Sequence, residues 1–308
     1  MYNSMIGAVE LGLLYAFMAL GVYITFRILD FPDLTVDGSF TTGGAIAAVM
    51  ITNGYSPWLA TVCALLGGMI AGMCTGLLHT KGKINGLLSG ILMMIALYSI
   101  NLRILGKPNV SLMGETSLFS SVNLLLVMPF VVLLVKILMD LFLRTDLGLA
   151  LRATGDNARM IRSFGVNTYT TTILGISLSN GLVALSGALI AQESTFADSS
   201  MGIGMIVIGL ASVIIGEAIF GAGSVFRATL AAVLGSIVYR VVVALALRVE
   251  WLEASDLKLI TAIIVIVALM FPSVQRHLKQ KGTARRRSAE LAKQAQLSKK
   301  GGTANAKA

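Results

Sequence analysis

Apolar residues arrive in long blocks, separated by short polar stretches. Blocks near 5–26, 38–53, 57–78, 84–105, 122–143, 168–191, 201–220, 225–246 and 257–272 approach the ~20 residues that a helix needs to cross the hydrocarbon layer. None shows the alternating ten-residue segments of a β-barrel. The pattern predicts an all-α polytopic membrane protein with about eight to ten transmembrane helices. Blocks 38–53 and 201–220 are rich in glycine and interrupted, so broken or re-entrant segments are expected there. The first block has a very short polar start and no small-residue cleavage site, which reads as a permanent span rather than a signal peptide.

Two polar stretches break the pattern. One is "RATGDNARMIRSFGVN" at 152–167, inside a longer polar loop, 144–167; the other is everything after residue 272. The apolar part, 1–272, is expected to be one transmembrane domain. The rest, 273–308, is basic and low in complexity, as a disordered tail is.

Charge sets the orientation. With 56% hydrophobic and 13% charged residues, the chain carries about half the charge of a soluble domain. Loops 27–37, 79–83, 144–167 and 221–227 and the tail hold 18 of the 24 Lys and Arg, which assigns them to the cytoplasm. The loops left outside, 192–200 and 248–256, lean acidic, and Tyr55, Trp58 and Trp251 fall at the outer interface. Nine crossings put the N-terminus outside. The basic tail suits either attraction to anionic lipid, at about 1 kcal/mol per basic residue near the surface, or simple solubilisation as a disordered segment. No motif points to nucleic acid.

Little catalytic chemistry is visible. The chain has no Walker loop, no His-Glu-x-x-His and no nucleophile elbow, so it is not read as an enzyme. No cofactor is implied, and no metal site: His79 and His277 stand alone beside basic residues. Cys63 and Cys74, eleven residues apart on one helix, are too distant for a disulfide. Ionisable residues inside the blocks are few: Glu10, Lys136 with Asp140, Glu217 and Arg240. Lys136 and Asp140, four apart on one face, are expected to pair. Gly68, Gly72 and Gly76, and again Gly82, Gly86 and Gly90, recur every fourth residue as stripes for close helix packing.

"LDFPDLTVDGSFTTGG" (29–44) and "STFADSSMGIGMIVIG" (194–209) resemble each other. Phe31/Phe196, Asp33/Asp198, Ala19/Ala184, Leu20/Leu185 and Gly44/Gly209 share an offset of 165 residues. One stretch lies inside and the other outside, as an inverted repeat requires. On that reading Asp33, Asp37, Ser39, Thr41, Thr42, Asp198, Ser199 and Ser200 mark the two ends of a translocation pathway. The plainer reading is that Asp and Ser cap the helices that follow.

In the central polar stretch, Asp156 is placed to cap a short helix. Asn157, Met160, Ile161 and Phe164 share a face, with Arg159, Arg162 and Ser163 opposite. Such a ridge suits docking in a groove on another protein, or lying on the headgroups; the residues are the same for both.

The run "GLALRATGDNARMIRSFGVNTYTTTILGISLSNGLVALSGAL" (148–189), with Arg152, Ala153, Asp156, Ala158, Gly165 and Val166 at the matching positions, resembles the permease subunits of ABC importers of the branched-chain amino acid and ribose type. "GLLYAFMALGVYITFRILDFPDLTVDGSF" (12–40) resembles the subgroup proposed for aromatic amino acids. The resemblance implies a permease of a bacterial plasma membrane, with a cytoplasmic C-terminus, working as a two-copy core. It receives a small solute from an extracytoplasmic binding protein, and a separate cytoplasmic ATPase drives it. Carried over by position, Gly155, Asp156, Asn157, Ala158, Arg159, Met160, Ile161, Phe164 and Gly165 form the coupling helix on which that ATPase acts. The alternative, a self-contained ion-coupled transporter, needs midplane carboxylates that are scarce here.

Overall fold

The first block forms helix α1 (Tyr2–Val22), whose last stretch widens into a π-helical turn, Tyr23–Ile28. The chain then turns back through 29–34 into α2 (Thr35–Thr52). Next come α3 (Pro57–Thr80), opened by Pro57 and capped by the Ser56 hydroxyl, and α4 (Gly86–Leu105), capped by the Asn85 side chain and closed by left-handed Gly106. Strand β1 (Asn109–Ser111) precedes α5 (Leu124–Phe142) and the polar α6 (Asp146–Ser163). Helix α7 (Thr168–Ser194), strand β2 (Phe196–Asp198), α8 (Met205–Phe220) and α9 (Val225–Ala246) follow. This computed structural model describes residues 2–119 and 124–246, and positions 259, 262, 263, 266 and 270. The expected loop 248–256 with Trp251, most of the span 257–272, and the tail 273–308 lie outside the described residues. One compact unit covers Met1–Val265.

Among the described residues, six helices are long and apolar enough to cross a membrane, and α8 is a shorter apolar helix. With the polar α6 at one end, this is a multi-pass membrane protein. The two ends of the bundle differ. At one, here called the α6 end, the 29–34 turn, the 81–85 turn and α6 come together. At the other, the strand end, β1 and β2 pair antiparallel with Asn109 opposite Asp198 and Ser111 opposite Phe196.

Helix α7 is the centre of the bundle, packed by α1, α2, α3 and α6. It is buried because small residues let other backbones approach. Gly68 and Gly72 of α3 sit against Asn180 and Ile176, and Gly76 against Ile173. Gly43 of α2 lies on Ala184, and Gly187 of α7 lies on the Phe40 carbonyl. The stripe expected over Gly82, Gly86 and Gly90 does not form. Gly82 stands in the turn after α3, while Gly86 meets Phe31 and Gly90 meets the Leu34 backbone.

The expected repeat is present in the packing. Helices α1–α2–α3 correspond to α7–α8–α9, and exchanging the sets turns each packed pair into another packed pair. The α1–α9 contact becomes α7–α3, α2–α3 becomes α8–α9, and α1–α8 becomes α7–α2. A shift of 165 residues carries Gly12 onto Ser177, and one of 168 carries Met69 onto Ile237. At the first crossing Gly12 lies against Ile237 and Ser236 Oγ donates to the Gly12 carbonyl at 2.9 Å; at the second, Ser177 Oγ donates to the Met69 carbonyl at 2.8 Å. Helices α1 and α7 run antiparallel, with Ser186 Oγ on the Leu14 carbonyl and Ser179 Oγ on the Gly21 carbonyl. The repeat is therefore inverted.

Of the two glycine-rich blocks, only one is broken. Helix α2 is continuous, because its glycines face α4, α7 and the 199–204 turn and its threonines donate back to carbonyls four residues earlier. The second block opens with an irregular turn, 199–204, and becomes helical only at Met205. This turn runs beside α2, where Gly44 meets Met201 and Gly202 packs on the Asp37 backbone, so α8 begins inside the bundle.

At Gly187 a Cβ would strike the Phe40 carbonyl, whereas at Gly7 it would meet nothing within 4 Å. Gly187→Ala should therefore cost about 1–3 kcal/mol through overpacking, and Gly7→Ala should not. Thermal unfolding midpoints of the two purified variants in detergent check this; equal midpoints would contradict the packing described.

Candidate functional site

Two regions carry the polar chemistry. The first is where the start of α2 meets the start of α8. A helix that begins inside an apolar bundle presents backbone N–H groups with no water to accept from them. The Asp37 carboxylate accepts from the Gly204 and Ile206 N–H groups at 2.9 and 2.8 Å, and Thr41 Oγ1 accepts from Gly202 N at 3.0 Å. The repeat relates the last two contacts, since a 165-residue shift carries Asp37 onto Gly202 and Thr41 onto Ile206.

Beside this junction is a cavity of about 340 Å³, lined by Asp37, Gly38, Thr41, Met94, Ile95, Tyr98, Asn101, Ser199 and Ile203. Its size falls in the ~300–1,000 Å³ range of small-molecule sites. The sequence-predicted residues Asp37, Thr41 and Ser199 meet here. Asp33 and Ser39 lie one step further in, joined through Asn180: Asn180 Nδ2 donates to Asp33 Oδ2 at 2.6 Å, and Ser39 Oγ donates to Asn180 Oδ1 at 2.7 Å. Burial pushes the Asp33 carboxyl above the usual carboxylate range, opposed by hydrogen bonds from Thr35 and Asn180. Asp198 and Ser200 stand apart at the strand end, where Asp198 Oδ1 accepts from the Ser200 N–H and hydroxyl. Asp33 makes the same contact with the Thr35 N–H, so both repeat-related aspartates act as local caps.

Asn101, Asn180, Tyr98 and Met94 were not singled out from the sequence. The signal for the two asparagines was present, since an amide inside an apolar span needs partners. Asn101 finds them in Thr42 and the Gly38 carbonyl.

The second region is α6. Its backbone is not helical at Asn157 (φ −158°, ψ 89°), which divides the element into a long and a short helix. Asn157, not Asp156, caps the short helix, because Asn157 Oδ1 accepts from Met160 N at 3.0 Å. Gly165, at φ +85°, ends the turn that follows. Met160 and Phe164 are 52% and 73% exposed, and Ile161 is half-buried. Arg159 is exposed, and Ala158 lines a polar cleft of about 330 Å³ at the α6 end. Arg162 is tied down by its Nε–H bond to Thr168 Oγ1 at 2.9 Å. Gly155 gives the short helix a firm base: it packs directly on the Ile28 carbonyl, at the end of the π-helical turn of α1.

Three further sets of ionisable residues have settled partners. Lys136 and Asp140 form a buried pair, with the Lys136 ammonium over the Phe226 ring and Thr229 donating to Asp140. Glu217 binds Arg27 at 3.0 Å. His79 bonds the Ile84 carbonyl through Nδ1 and packs edge-on against Phe31. Among the described residues no group of three or more His, Cys, Asp or Glu is arranged to hold a metal.

Residues 4–270 match the family model described as the permease component of the branched-chain amino acid transport system. The chain belongs to this permease family. The permease is 47% identical over 280 residues to a protein of Clostridioides difficile named tyrosine transport system permease protein, covering 90% of this chain and 94% of that one. It is 29% identical over 262 residues to the autoinducer 2 import system permease protein LsrC of Escherichia coli, covering 82% of this chain and 76% of the relative. A chain in the structure of PsaBC from Streptococcus pneumoniae, bound to a Fab, shares the fold at a TM-score of 0.51 and 14% identity, covering 91% and 94% of the two chains. The permease is thus the membrane component of an ABC transporter, not a self-contained ion-coupled carrier.

Removing the Asp37 carboxylate leaves two α8 N–H groups without an acceptor, at about 1–3 kcal/mol for each unsatisfied group. Asp37→Ala should accelerate hydrogen exchange at residues 204–207, and Asp37→Asn, which keeps one oxygen, should do so less. Wild-type exchange in the alanine variant would show that something else caps α8.

Proposed function

We propose that this permease forms half of an importer core that moves an amino acid, of the aromatic class, across a bacterial plasma membrane. The observation that carries the reading is the pair of exposed apolar side chains, Met160 and Phe164, on a short capped helix whose base rests on the end of α1. A cytoplasmic ATPase docks on this ridge, with Ile161 beneath and Gly155, Asp156, Asn157, Ala158, Arg159 and Gly165 setting its shape. A push on the short helix passes through Gly155 to Ile28 and the π-helical turn, and so to the 29–34 turn and α2. The α6 end then faces the cytoplasm, together with the basic C-terminal segment 273–308, which follows the permease domain, 1–272.

The solute passes the cavity at the α2–α8 junction. Asp37, Thr41 and Ser199 line it, Asp33 and Ser39 brace it through Asn180, and Asp198 and Ser200 stand at its extracytoplasmic approach. Tyr98 and Met94 offer faces on which an aromatic ring packs. The relative named for tyrosine transport, 47% identical over almost the whole chain, supports the solute class. An extracytoplasmic binding protein delivers the solute at the strand end, and a second copy of the permease completes the core.

The test is reconstitution of the permease with its ATPase and binding protein. Met160→Asp together with Phe164→Asp should leave the permease inserted and folded but lower solute-stimulated ATP hydrolysis by about 10-fold or more, the loss expected for interface anchors worth above 1 kcal/mol each. Stimulation equal to wild type in a complex of normal composition would overturn the docking ridge. Absence of tyrosine or phenylalanine uptake by the wild-type complex would overturn the solute class.

A further inference from the structure

Arg240 is the ionisable side chain in the apolar blocks that packing leaves incompletely answered. Its guanidinium carbon lies 3.7 Å above the centroid of the Tyr15 ring, yet its Nε is buried without a hydrogen-bond partner. Among the described residues it joins no ion pair, in contrast to Lys136 and Arg27. Carboxylates are near but not in contact: Glu193 interacts electrostatically with both Arg240 and Glu10. Tyr15 in turn stacks on Phe40 at 6.1 Å, and Phe40 precedes Thr41 of the junction cavity.

The inverted repeat supplies an internal control. The 165-residue shift carries Tyr15 onto Asn180, and the 168-residue shift carries Gly72 onto Arg240. In the other half, Gly72 packs directly against Asn180, whose amide is satisfied by Asp33 and Ser39. The same crossing is therefore made once with a glycine in place of the arginine. Packing alone does not require a cation at position 240, and charge inside a membrane bundle is costly unless it meets a partner.

We infer that Arg240, held on the Tyr15 ring between α1 and α9, takes the carboxylate of the amino-acid solute. Glu193, which interacts electrostatically with both Arg240 and Glu10, suits its ammonium group, so the cluster matches a zwitterion rather than an anion. Arg240 as a whole is half-buried, and its two terminal nitrogens offer N–H groups for a two-point contact with a carboxylate. This subsite rests on the amino-acid reading given above.

The test uses the full permease, purified with its ATPase in lipid nanodiscs, and two soluble probes. L-Phenylalanine carries a carboxylate, and phenethylamine is the same molecule without it. Phenylalanine at millimolar concentration should raise the thermal midpoint of the wild-type permease by about 2 °C or more, and phenethylamine should not. Arg240→Gln should lose the shift, and Arg240→Lys, which keeps the charge but not the planar fork, should keep no more than half of it. Equal shifts with both probes, no shift with either, or a full wild-type shift in Arg240→Gln would each overturn the subsite. Should Arg240→Gln fail to fold, an undiminished shift in Arg240→Lys overturns it. Uptake by the wild-type complex is read separately: its absence sinks the solute class, while intact uptake with an unchanged Arg240→Gln shift sinks only the subsite.

Discussion

A helix that starts inside a membrane bundle must find acceptors for its first N–H groups from protein alone. The Asp37 carboxylate meets that need for α8, and much of the architecture follows. Because Asp37 is two residues into α2, the contact fixes the beginnings of two repeat-related helices against each other. The junction then stands on the repeat axis, where the chain is irregular and a cavity is left open. Irregular backbone, a satisfied charge and an open volume coincide because each requires the others.

The same requirement explains why α7 is the inner helix. Its serines and asparagine donate to, or accept from, α1, α2, α3 and the 29–34 turn, and its glycine neighbours bring those backbones close enough to be reached. Hydrophobicity places the helices in the bilayer but does not order them there, since lipid is as apolar as leucine. Small residues and hydroxyls supply the order.

Much of this was legible in the sequence, and the losses have physical causes. Block length gave the spans, and glycine spacing marked the packing face of α3 but not its partner, α7. The offset of 165 residues gave the repeat from only five identities, because Asp33 and Asp198 cap in the same local way. The continuity of α2 was hidden, because glycine is read as a breaker while in a membrane it serves close approach. The cap of the short α6 helix moved from Asp156 to Asn157, a one-residue error inherent in reading adjacent Asp-Asn, since either side chain can accept from the N–H groups that follow. Asn101 and Asn180 carry no charge and so do not stand out among membrane ionisable residues, although a buried amide also needs partners. Tyr98 and Met94 had no signal, since an aromatic or a methionine on an apolar face looks like any other lipid-facing residue.

The pair Lys136–Asp140 has a consequence for how the protein is made. The two charges lie four residues apart on one helix, so they neutralise each other as soon as α5 forms its turns. Helix α5 therefore carries its own counter-ion into the bilayer and can insert before α9 has been synthesised. Phe226 and Thr229, on α9, then close over a site that is already electrically balanced. The order of residues along the chain thus lets membrane entry and helix assembly proceed as separate steps.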